Sequence, residues 1–258
     1  MADRRTVLPE LLKGHLVLVT GAGQGNGRAI ALGLAGSGAR IVVTDIQSQT
    51  AAATVEDIRR AGGAADAFRL DVTDAKACAE LAERVGRDIG AASILVNNAG
   101  IQIREDLDSP HAHETWRRVL DVNLNGTFNV VHAWLPALRQ TRGSIINVAS
   151  IASFVVGSNT LGYAPSKGAI KLFTQALARE LAPDGIRVNA VAPGVIETAM
   201  TEATRADPDR LAAFMKRIPL GRVGQPEDVV GPVLFLASPM ASYVTGAILP
   251  VDGGYLAV

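Results

Sequence analysis

Tyr163 and Lys167 are the residues of this sequence whose types and spacing first suggest chemistry. They lie four residues apart where a helical pattern begins, so both side chains would share one face of a helix. A free phenol has a pKa of about 10 and a free ammonium about 10.4, so neither is a useful base at neutral pH alone. A neighbouring positive charge favours the phenolate, which would make Tyr163 an acid/base group near pH 7. A solvated helix face is the alternative interpretation, and the surrounding elements must decide.

A glycine-rich turn follows the first apolar run of the chain. Residues 16–19 are continuously apolar, as expected of a parallel strand covered on both faces. Gly21, Gly25 and Gly27 come next, and an apolar helical pattern follows them. Glycine lets backbone amides and a helix N-terminus approach a pyrophosphate, because it has no side chain to block the approach. The spacing, Gly-x-x-x-Gly-x-Gly, therefore predicts dinucleotide binding, with a purely structural turn as the alternative.

Asp45 ends the second predicted strand, 40–45. It follows Gly25 by the interval of about 20 residues at which a carboxylate can accept hydrogen bonds from the adenosine ribose. A 2′-phosphate at that place would be repelled, and neither Ile46 nor Gln24 supplies a compensating positive charge. We therefore expect NAD rather than NADP. The alternative is an ordinary strand-end aspartate that starts a turn.

Polar and small residues also follow the later predicted strands. Asp71 ends the third strand, 67–72, near the expected adenine pocket. The fourth strand, within 93–100, ends in the amides of Asn97 and Asn98 and in Gly100. The strand 144–150 ends in Ser150, and the strand 186–192 is followed by Pro193 and Gly194. These residues are all expected at the carboxyl ends of strands.

Helical patterns alternate with these strands. A polar helix is expected at about 49–61, a long one from 115 to about 138, which contains Asn123, and another from Tyr163 to the stop at 183–185. The segment 197–220 is polar, lacks a clean period and is long for a connector, so we expect a lid over the substrate. A last helix and strand follow it.

This alternation predicts an α/β fold with a single doubly wound parallel sheet, Rossmann-like, with helices on both faces and the ligand at the carboxyl ends of the strands. Residues 1–13 are expected to be an N-terminal extension and 14–258 one catalytic domain.

The composition excludes several classes of protein. The 258 residues hold 25 Lys plus Arg and 25 Asp plus Glu, so no global field attracts nucleic acid or an anionic membrane. No apolar run approaches the roughly 18 residues of a membrane span, and 1–15 lacks a signal-peptide core, so we expect a cytoplasmic protein. Cys78 is the only cysteine and is expected in a buried helix. His111 and His113 do not face each other on a helix, so no metal site is predicted.

Together these motifs resemble the classical short-chain dehydrogenase/reductase family over residues 14 to 256. The matching positions are Thr20-Gly21-x-x-x-Gly25-x-Gly27, Asn97-Asn98-Ala99-Gly100, Asn123, Ser150, Tyr163-x-x-x-Lys167 and Pro193-Gly194. Asn26 is a departure, because the family usually carries an apolar residue there. Residues 100–106 and 220–258 look most like sugar-acid and polyol dehydrogenases of the gluconate and deoxygluconate type.

The resemblance implies roles for individual residues. Tyr163 would exchange a proton with the substrate oxygen, Ser150 would hydrogen-bond that oxygen, Lys167 would lower the tyrosine pKa and bind the nicotinamide ribose, and Asn123 would hold a water in the proton relay. Arg104 could bind a substrate carboxylate, or could be an exposed loop arginine. The cofactor-binding residues would be Gly21, Gln24, Gly25, Asn26, Gly27, Asp45, Ile46, Asp71, Val72, Asn98, Ala99, Gly100, Tyr163, Lys167, Pro193, Gly194, Ile196 and Thr198.

The expected function is thus NAD-dependent interconversion of a secondary alcohol and a ketone, on a polyol, sugar or sugar acid, by a homotetramer as in similar proteins. A 3-oxoacyl thioester reductase is the nearest alternative, although such enzymes normally use NADP. A catalytically silent dinucleotide-binding protein is the alternative from another class, and the complete set of Asn123, Ser150, Tyr163 and Lys167 argues against it.

Overall fold

A computed structural model describes residues 10–157 and 160–258. Within these residues seven parallel strands form one sheet, in the order β3-β2-β1-β4-β5-β6-β7. The strands are β1 Leu16–Thr20, β2 Arg40–Asp45, β3 Ala64–Arg69, β4 Ile94–Asn97, β5 Ser144–Val148, β6 Arg187–Pro193 and β7 Ile248–Val251. The order reverses between β1 and β4, which opens a crevice at the carboxyl ends of the strands. The predicted fold class is confirmed.

Helices connect the strands and cover both faces of the sheet. They are α1 Gly25–Gly36, α2 Ser48–Arg60, α3 Ala75–Asp88, α4 Ala112–Leu120, α5 Gly126–Thr141, α6 Tyr163–Leu181, α7 Glu202–Arg205, α8 Pro208–Met215 and α9 Pro226–Ala237. A π-helical segment, Asp121–Asn125, joins α4 to α5, and single 3-10 turns occupy Ile151–Ser153, Ala182–Asp184, Ala199–Thr201, Pro239–Ala241 and Tyr255–Ala257. No helix in the described ranges is long and apolar enough to cross a membrane.

The core has two parts because alternate residues of each strand point to opposite faces. Val17 and Val19 of β1 pack in the cluster that includes α1, α2 and α9 residues. Leu16 and Leu18 pack on the other face with residues of α3, α5 and α6. Burial on both faces explains why β1 is apolar throughout instead of alternating. Cys78 is fully buried in the second cluster, and this burial raises the pKa of its thiol to about 11.

Several predicted boundaries differ from the structure. The third strand is Ala64–Arg69, three residues before the predicted 67–72, because it pairs with β2 from Arg40 opposite Ala64 to Asp45 opposite Arg69. Leu70 and Val72 are buried beyond the strand end, so their apolar character marks packing rather than a strand. The strand predicted at 144–150 ends at Val148. Of the predicted extension 1–13, residues 1–9 lie outside the described residues, whereas Leu12 is buried in the core.

The long helix predicted at 115–138 contains a π-helical interruption. Asp121–Asn125 has one residue more per turn than an α-helix, and such bulges recur at functional sites. Here the bulge carries Asn123, which is buried. Gly126 ends the bulge against the side chain of Val72, where a Cβ atom would come within 2.5 Å of Val72 Cγ2. This close contact packs the start of α5 against the connection between β3 and α3.

A buried polar network joins two central strands to α6. Asn97 Nδ2 donates to Asn147 Oδ1 over 2.8 Å, and Asn147 Nδ2 donates to Thr174 Oγ1 over 2.9 Å. The three side chains are almost fully buried. Buried polar groups stabilise a structure only while each keeps its partner. The network therefore fixes how α6, the helix that begins at Tyr163, sits on β4 and β5.

Asn147→Ala should lower the free energy of unfolding by about 2–3 kcal/mol, because Asn97 and Thr174 each lose a buried partner. Urea unfolding followed by circular dichroism measures the change. Asn125→Ala is the matched control, since Asn125 makes one exposed hydrogen bond, to Asp121, and should change stability by less than about 0.5 kcal/mol. Equal effects of the two substitutions would contradict the role of the network.

Candidate active site

Two adjoining cavities lie at the carboxyl ends of the strands. The larger, a groove of about 1260 Å³, runs along the predicted dinucleotide path, and the smaller cavity has about 340 Å³. Asn26, Asn98, Gly100 and Thr198 line both, so the two are continuous neighbours. The predicted residues that line the groove are Gly21, Gln24, Gly25, Asn26, Asp45, Ile46, Asp71, Val72, Asn98, Ala99, Gly100 and Thr198. Those that line the smaller cavity include Arg104, Ser150, Tyr163, Lys167, Pro193, Gly194 and Ile196.

The glycine turn leaves room for a phosphate at the start of α1. Gly25 has a φ of 52°, a conformation that other residues rarely adopt. A Cβ atom on Gly27 would lie 2.2 Å from the carbonyl oxygen of Gly21, so the turn requires a glycine at this position. Gly27 itself lines neither cavity. Within the described structure the N-cap residue Gln24 makes no side-chain cap, so the first amides of α1 keep their capacity to bind an anion.

Asn98 fastens this turn to the neighbouring strand end. Its Nδ2 atom donates to the carbonyl oxygens of Thr20 over 3.0 Å and Gly21 over 2.9 Å. In return, Thr20 Oγ1 accepts from the backbone amides of Asn98 and Ala99. In the sequence Thr20 is only the first residue of a glycine motif, and its role in locking β1 to the end of β4 becomes visible in the folded chain. The crevice is therefore held open by side-chain hydrogen bonds across the switch point.

Asp45 closes the adenosine end of the groove. Its Oδ2 accepts from Gly23 N over 2.9 Å and its Oδ1 accepts from Gln47 N over 3.0 Å. These bonds hold the carboxylate at the end of β2, where a ribose would be read. The bond from Gln47 N is a turn contact, so Asp45 does start a turn, and its contact with a ribose stays a prediction. Arg117 and Arg118 of α4 also line this groove.

Tyr163, Ser150 and Lys167 meet in the smaller cavity. Tyr163 is the first residue of α6, where Pro165 is tolerated because amides of the first turn have no acceptor within the helix. The side chains of Tyr163 and Ser150 are hydrogen-bonded. Ser150 is held by its own contact, because Oγ accepts from Ala152 N over 3.1 Å at the turn after β5. The serine and the tyrosine are thus brought together from different elements.

Burial dominates the electrostatics of Tyr163 and Lys167. Burial raises the pKa of Tyr163, and the hydrogen bond from Ser150 opposes that rise. Burial also lowers the pKa of Lys167 to about 8. Lys167 Nζ donates to the carbonyl oxygen of Val148 over 2.8 Å and lies 5.8 Å from the centroid of the Tyr163 ring. Burial is thus the largest influence on the pKa of Tyr163, and the hydrogen bond with Ser150 works against it.

Asn123 lies behind the site and does not line either cavity. Its Oδ1 accepts from Ile101 N over 2.8 Å, and its Nδ2 donates to Ile101 O over 3.0 Å and to Ser166 Oγ over 3.0 Å. These bonds tie the loop after β4 to α6. The side chain that was expected to hold a water therefore anchors the wall of the cavity in this structure.

The segment 197–220 supplies the outer wall of the smaller cavity. The predicted lid contains α7 and α8, and Thr204, Arg210 and Phe214 from it line the cavity together with Tyr255 near the carboxyl terminus. The sequence analysis did not single out these residues, because the segment has no repeating apolar pattern. Its length and polar character were the only signals. Arg104 Nη2 reaches across to Thr204 Oγ1 over 2.7 Å, so it is a cavity residue rather than an exposed loop arginine.

The residues present fit a nicotinamide dinucleotide. The uncapped start of α1 and the glycine turn, which a Cβ atom would fill, match a pyrophosphate. The carboxylate of Asp45 at the end of β2 matches a ribose. Asn26, at the boundary of the two cavities, has a buried Oδ1 without a partner, which is consistent with a ligand donor there. The described residues contain no group of three or more His, Cys, Asp or Glu that could hold a metal ion.

Comparisons with known proteins agree with this geometry. A family model described as enoyl-(acyl carrier protein) reductase matches residues 21–256. The chain is 41% identical over 244 residues to a 3-oxoacyl-[acyl-carrier-protein] reductase from Thermotoga maritima, covering 94% of this chain and 98% of the relative. It is 42% identical over 259 residues to a galactitol 2-dehydrogenase (L-tagatose-forming) from Cereibacter sphaeroides, covering 98% of each.

A solved structure shares the fold throughout. The gluconate 5-dehydrogenase from Burkholderia cenocepacia, in complex with NADP and tartrate, superposes with a TM-score of 0.92 at 36% identity over 97% of this chain and 99% of that one. The chain is thus similar both to relatives named as sugar-acid or polyol dehydrogenases and to a relative named as a 3-oxoacyl thioester reductase. The chain belongs to the short-chain dehydrogenase/reductase family, whose dehydrogenases act on CH–OH groups.

Proposed function

We propose that this protein is an NAD-dependent oxidoreductase that interconverts a secondary alcohol and a ketone on a polyol, sugar or sugar acid. The observation that carries the proposal is the meeting of Tyr163, Ser150 and Lys167 in a cavity that shares walls with the dinucleotide groove. Tyr163 and Ser150 are hydrogen-bonded, and Lys167 is fixed against Val148. The catalytic domain is proposed to extend over 14–258.

In alcohol oxidation, Tyr163 as phenolate accepts the hydroxyl proton of the substrate while the carbinol carbon loses a hydride, and the product is the ketone. A bound nicotinamide supplies the hydride acceptor. Ser150 donates a hydrogen bond to the substrate oxygen and orients it towards the tyrosine. The ammonium of Lys167 favours the phenolate and binds the nicotinamide ribose. Asn123 holds the wall behind the tyrosine and takes part in the proton relay.

The cofactor residues are proposed as the sequence analysis named them. Gly21, Gln24, Gly25, Asn26 and Gly27 form the pyrophosphate turn, and Asp45 with Ile46 surrounds the adenosine ribose. The remaining cofactor contacts are assigned to Asp71, Val72, Asn98, Ala99, Gly100, Tyr163, Lys167, Pro193, Gly194, Ile196 and Thr198. All of these except Gly27 line one of the two cavities, which supports the assignment.

NAD is proposed over NADP because of Asp45. Its carboxylate, held by the amides of Gly23 and Gln47, would repel a 2′-phosphate. The Burkholderia gluconate 5-dehydrogenase was solved with NADP, so the proposal of NAD for this chain rests on its own Asp45. In this chain Ile46 follows the carboxylate and offers no positive charge to a phosphate.

A second candidate is a 3-oxoacyl thioester reductase. It is favoured by the 41% identity to the Thermotoga maritima reductase. Asp45 argues against it, since reduction of such thioesters normally draws on NADP. The gluconate 5-dehydrogenase complex contains tartrate, a hydroxy acid, and that observation favours a sugar acid for this chain as well.

We also propose a homotetramer in the cytoplasm. The outer surface around α5 and α6 exposes Phe128, Phe154 and Leu172, with Leu172 66% exposed. Large apolar side chains that are exposed on a surface are typical of a contact with a partner. A second copy of the chain would cover them, and a two-fold axis would let the same surface serve both copies.

Tyr163→Phe should lower kcat for alcohol oxidation by about 100-fold or more, because the proton acceptor is removed. NAD binding, measured by fluorescence titration, should stay within about twofold. Tyr243→Phe is the control, since Tyr243 is fully exposed on the surface. Near-normal turnover by the Tyr163 variant would refute its acid/base role.

Asp45→Ala should narrow the preference for NAD over NADP by about tenfold or more, because a charged acceptor for the ribose is lost and a repulsion is removed. The ratio of kcat/KM for the two cofactors measures it. Glu56→Ala removes an exposed carboxylate from α2, outside both cavities, and should leave the ratio unchanged. Equal use of NAD and NADP by the unmodified protein would overturn the NAD assignment.

Lys167→Ala should move the rise of kcat/KM for oxidation to higher pH. Burial lowers the pKa of Lys167 to about 8, so its charge helps the phenolate below about pH 8 and fades above that. The deficit of the variant should therefore be largest below about pH 8 and should shrink above it. Lys171→Ala, which lies one helical turn further along α6 and outside both cavities, is the control. A uniform loss at every pH would show that Lys167 acts without influencing the ionisation of Tyr163.

A further inference from the structure

The chain around Ser150 is attached to Lys167 at two points, one on each side of the serine. Before it, Val148 O at the end of β5 accepts from Lys167 Nζ over 2.8 Å. After it, Ser153 Oγ donates to Lys167 O over 2.7 Å. Ser150 therefore lies between two hydrogen bonds that lead to one residue of α6. Because Tyr163 is on the same helix, four residues before Lys167, these bonds also set the serine against the tyrosine.

The bond from Ser153 is the less changeable of the two. Lys167 reaches Val148 with a long side chain, and burial lowers the pKa of its ammonium to about 8. The same ammonium is proposed to bind the nicotinamide ribose. Ser153, in contrast, has a short side chain, and its acceptor is a backbone carbonyl, so neither group gains or loses a proton at moderate pH.

A closed 3-10 turn connects Ser153 to Ser150. The turn occupies Ile151–Ser153, and Ser150 Oγ accepts from Ala152 N over 3.1 Å. Ser153 N donates to Ser150 O over 2.9 Å. Because these bonds close the turn, a movement of Ser153 relative to α6 is carried to Ser150.

Ser153 itself lies outside the space in which the reaction takes place. It lines neither the dinucleotide groove nor the smaller cavity, whereas Ser150, Ile151 and Ala152 line the smaller one. The carbonyl oxygen of Lys167 lies within α6, where the helix supplies its own donor four residues later. The bond from Ser153 is therefore an additional bond between two elements. A residue in this place influences the reaction only through the position of other residues.

We propose that Ser153 is a positioning residue of the proton-transfer site and holds the hydroxyl of Ser150 at hydrogen-bonding distance from Tyr163. The inference rests on the proposed oxidoreductase function and names what sets the contact between the serine and the tyrosine. That contact opposes the effect of burial on the pKa of Tyr163. Without the Ser153 hydroxyl the turn is released from α6, the contact weakens and the phenolate is harder to form. A misplacement of this kind lowers the rate although every reacting group is still present.

A spectroscopic titration of Tyr163 tests the proposal without a substrate. The ultraviolet absorbance of the phenolate is followed against pH, and the titration of the matching Tyr163→Phe protein is subtracted, so that Tyr243 and Tyr255 cancel. Ser150→Ala should raise the pKa of Tyr163, since it removes the hydrogen bond that opposes burial. Ser153→Ala should raise this pKa as well, by less than Ser150→Ala does. Ser153→Thr keeps a hydroxyl and should restore the original titration.

The control variant separates positioning from a general loss of stability. Thr141→Val also removes a hydroxyl that donates to a backbone carbonyl, that of Ala92 over 3.2 Å, but at the amino ends of the strands. It should leave the titration of Tyr163 unchanged. The charged side chains that line the cavity in the described part of the chain are the same in all these proteins, so they affect each titration alike. They are Arg104, Lys167 and Arg210.

The double variant Ser150→Ala, Ser153→Ala shows whether Ser153 acts through Ser150. It should titrate like Ser150→Ala alone, because the turn then has no serine hydroxyl left to position. A further rise in the pKa of Tyr163 in the double variant would overturn the inference. An unchanged pKa in Ser153→Ala would overturn it as well.

Turnover measures the same effect in the enzyme with NAD bound. Aldonates, alditols and simple secondary alcohols are offered with NAD, and the variants are compared on the alcohol that the unmodified protein oxidises with the highest kcat/KM. Ser153→Ala should lower kcat by about tenfold and change the Kd for NAD by less than about twofold. Ser153→Thr should recover kcat. In the Ser150→Ala background, Ser153→Ala should lower kcat by less than about twofold.

The two measurements distinguish this inference from the proposed function. A shifted titration in Ser153→Ala, without turnover of any alcohol by the unmodified protein, supports the role of Ser153 and contradicts the oxidoreductase function. Turnover by the unmodified protein, with the titration and kcat unchanged in Ser153→Ala, supports the function and contradicts the positioning role.

Discussion

All seven strands of the described sheet run in one direction, and the rest of the site depends on that constraint. Parallel strands bring their carboxyl ends to a single edge, so Thr20, Asp45, Asn98 and Ser150 lie together although the chain separates them widely. The strand order reverses between β1 and β4, so the connections that follow these two strands lead away from each other and leave room for a ligand. Asn98 then holds the glycine turn at the correct distance by its two bonds to Thr20 and Gly21.

Burial decides the electrostatics at that edge. The same desolvation raises the pKa of Tyr163 and lowers that of Lys167, so each group is less readily charged than in water. A phenol in such a place needs hydrogen bonds and nearby charges to become a base, and Ser150 provides the first of these.

Much of this arrangement could be predicted from the sequence because it depends on local rules. The glycine turn, the strand that ends at Asp45 and the helix that begins at Tyr163 each carry a short pattern with a physical cause, and all three were predicted at the correct place. The third strand was predicted three residues too far along the chain, because Leu70 and Val72 are buried although they lie outside the sheet. Hydrophobicity alone does not distinguish burial within a sheet from burial beyond the end of a strand. Asn123 was predicted within a long helix, but its bonds to Ile101 could not be predicted, because they depend on a π-helical bulge that sequence periodicity does not reveal.

Tertiary contacts account for what could not be predicted. Arg210 lies in a polar segment without a period, and only the folded chain brings it to the cavity that contains Arg104. The pKa of Tyr163 likewise depends on how deeply the folded chain buries the phenol, and the spacing of residues in the sequence does not reveal that burial.

The central claim is that Tyr163 and its neighbours oxidise a secondary alcohol of a polyol, sugar or sugar acid with NAD. A spectrophotometric screen that follows nicotinamide absorbance tests it directly, with aldonates, alditols, simple secondary alcohols and hydroxyacyl thioesters offered to the same purified protein with NAD and with NADP. The account predicts the highest kcat/KM for an aldonate or an alditol with NAD. The highest value for a hydroxyacyl thioester with NADP would contradict it.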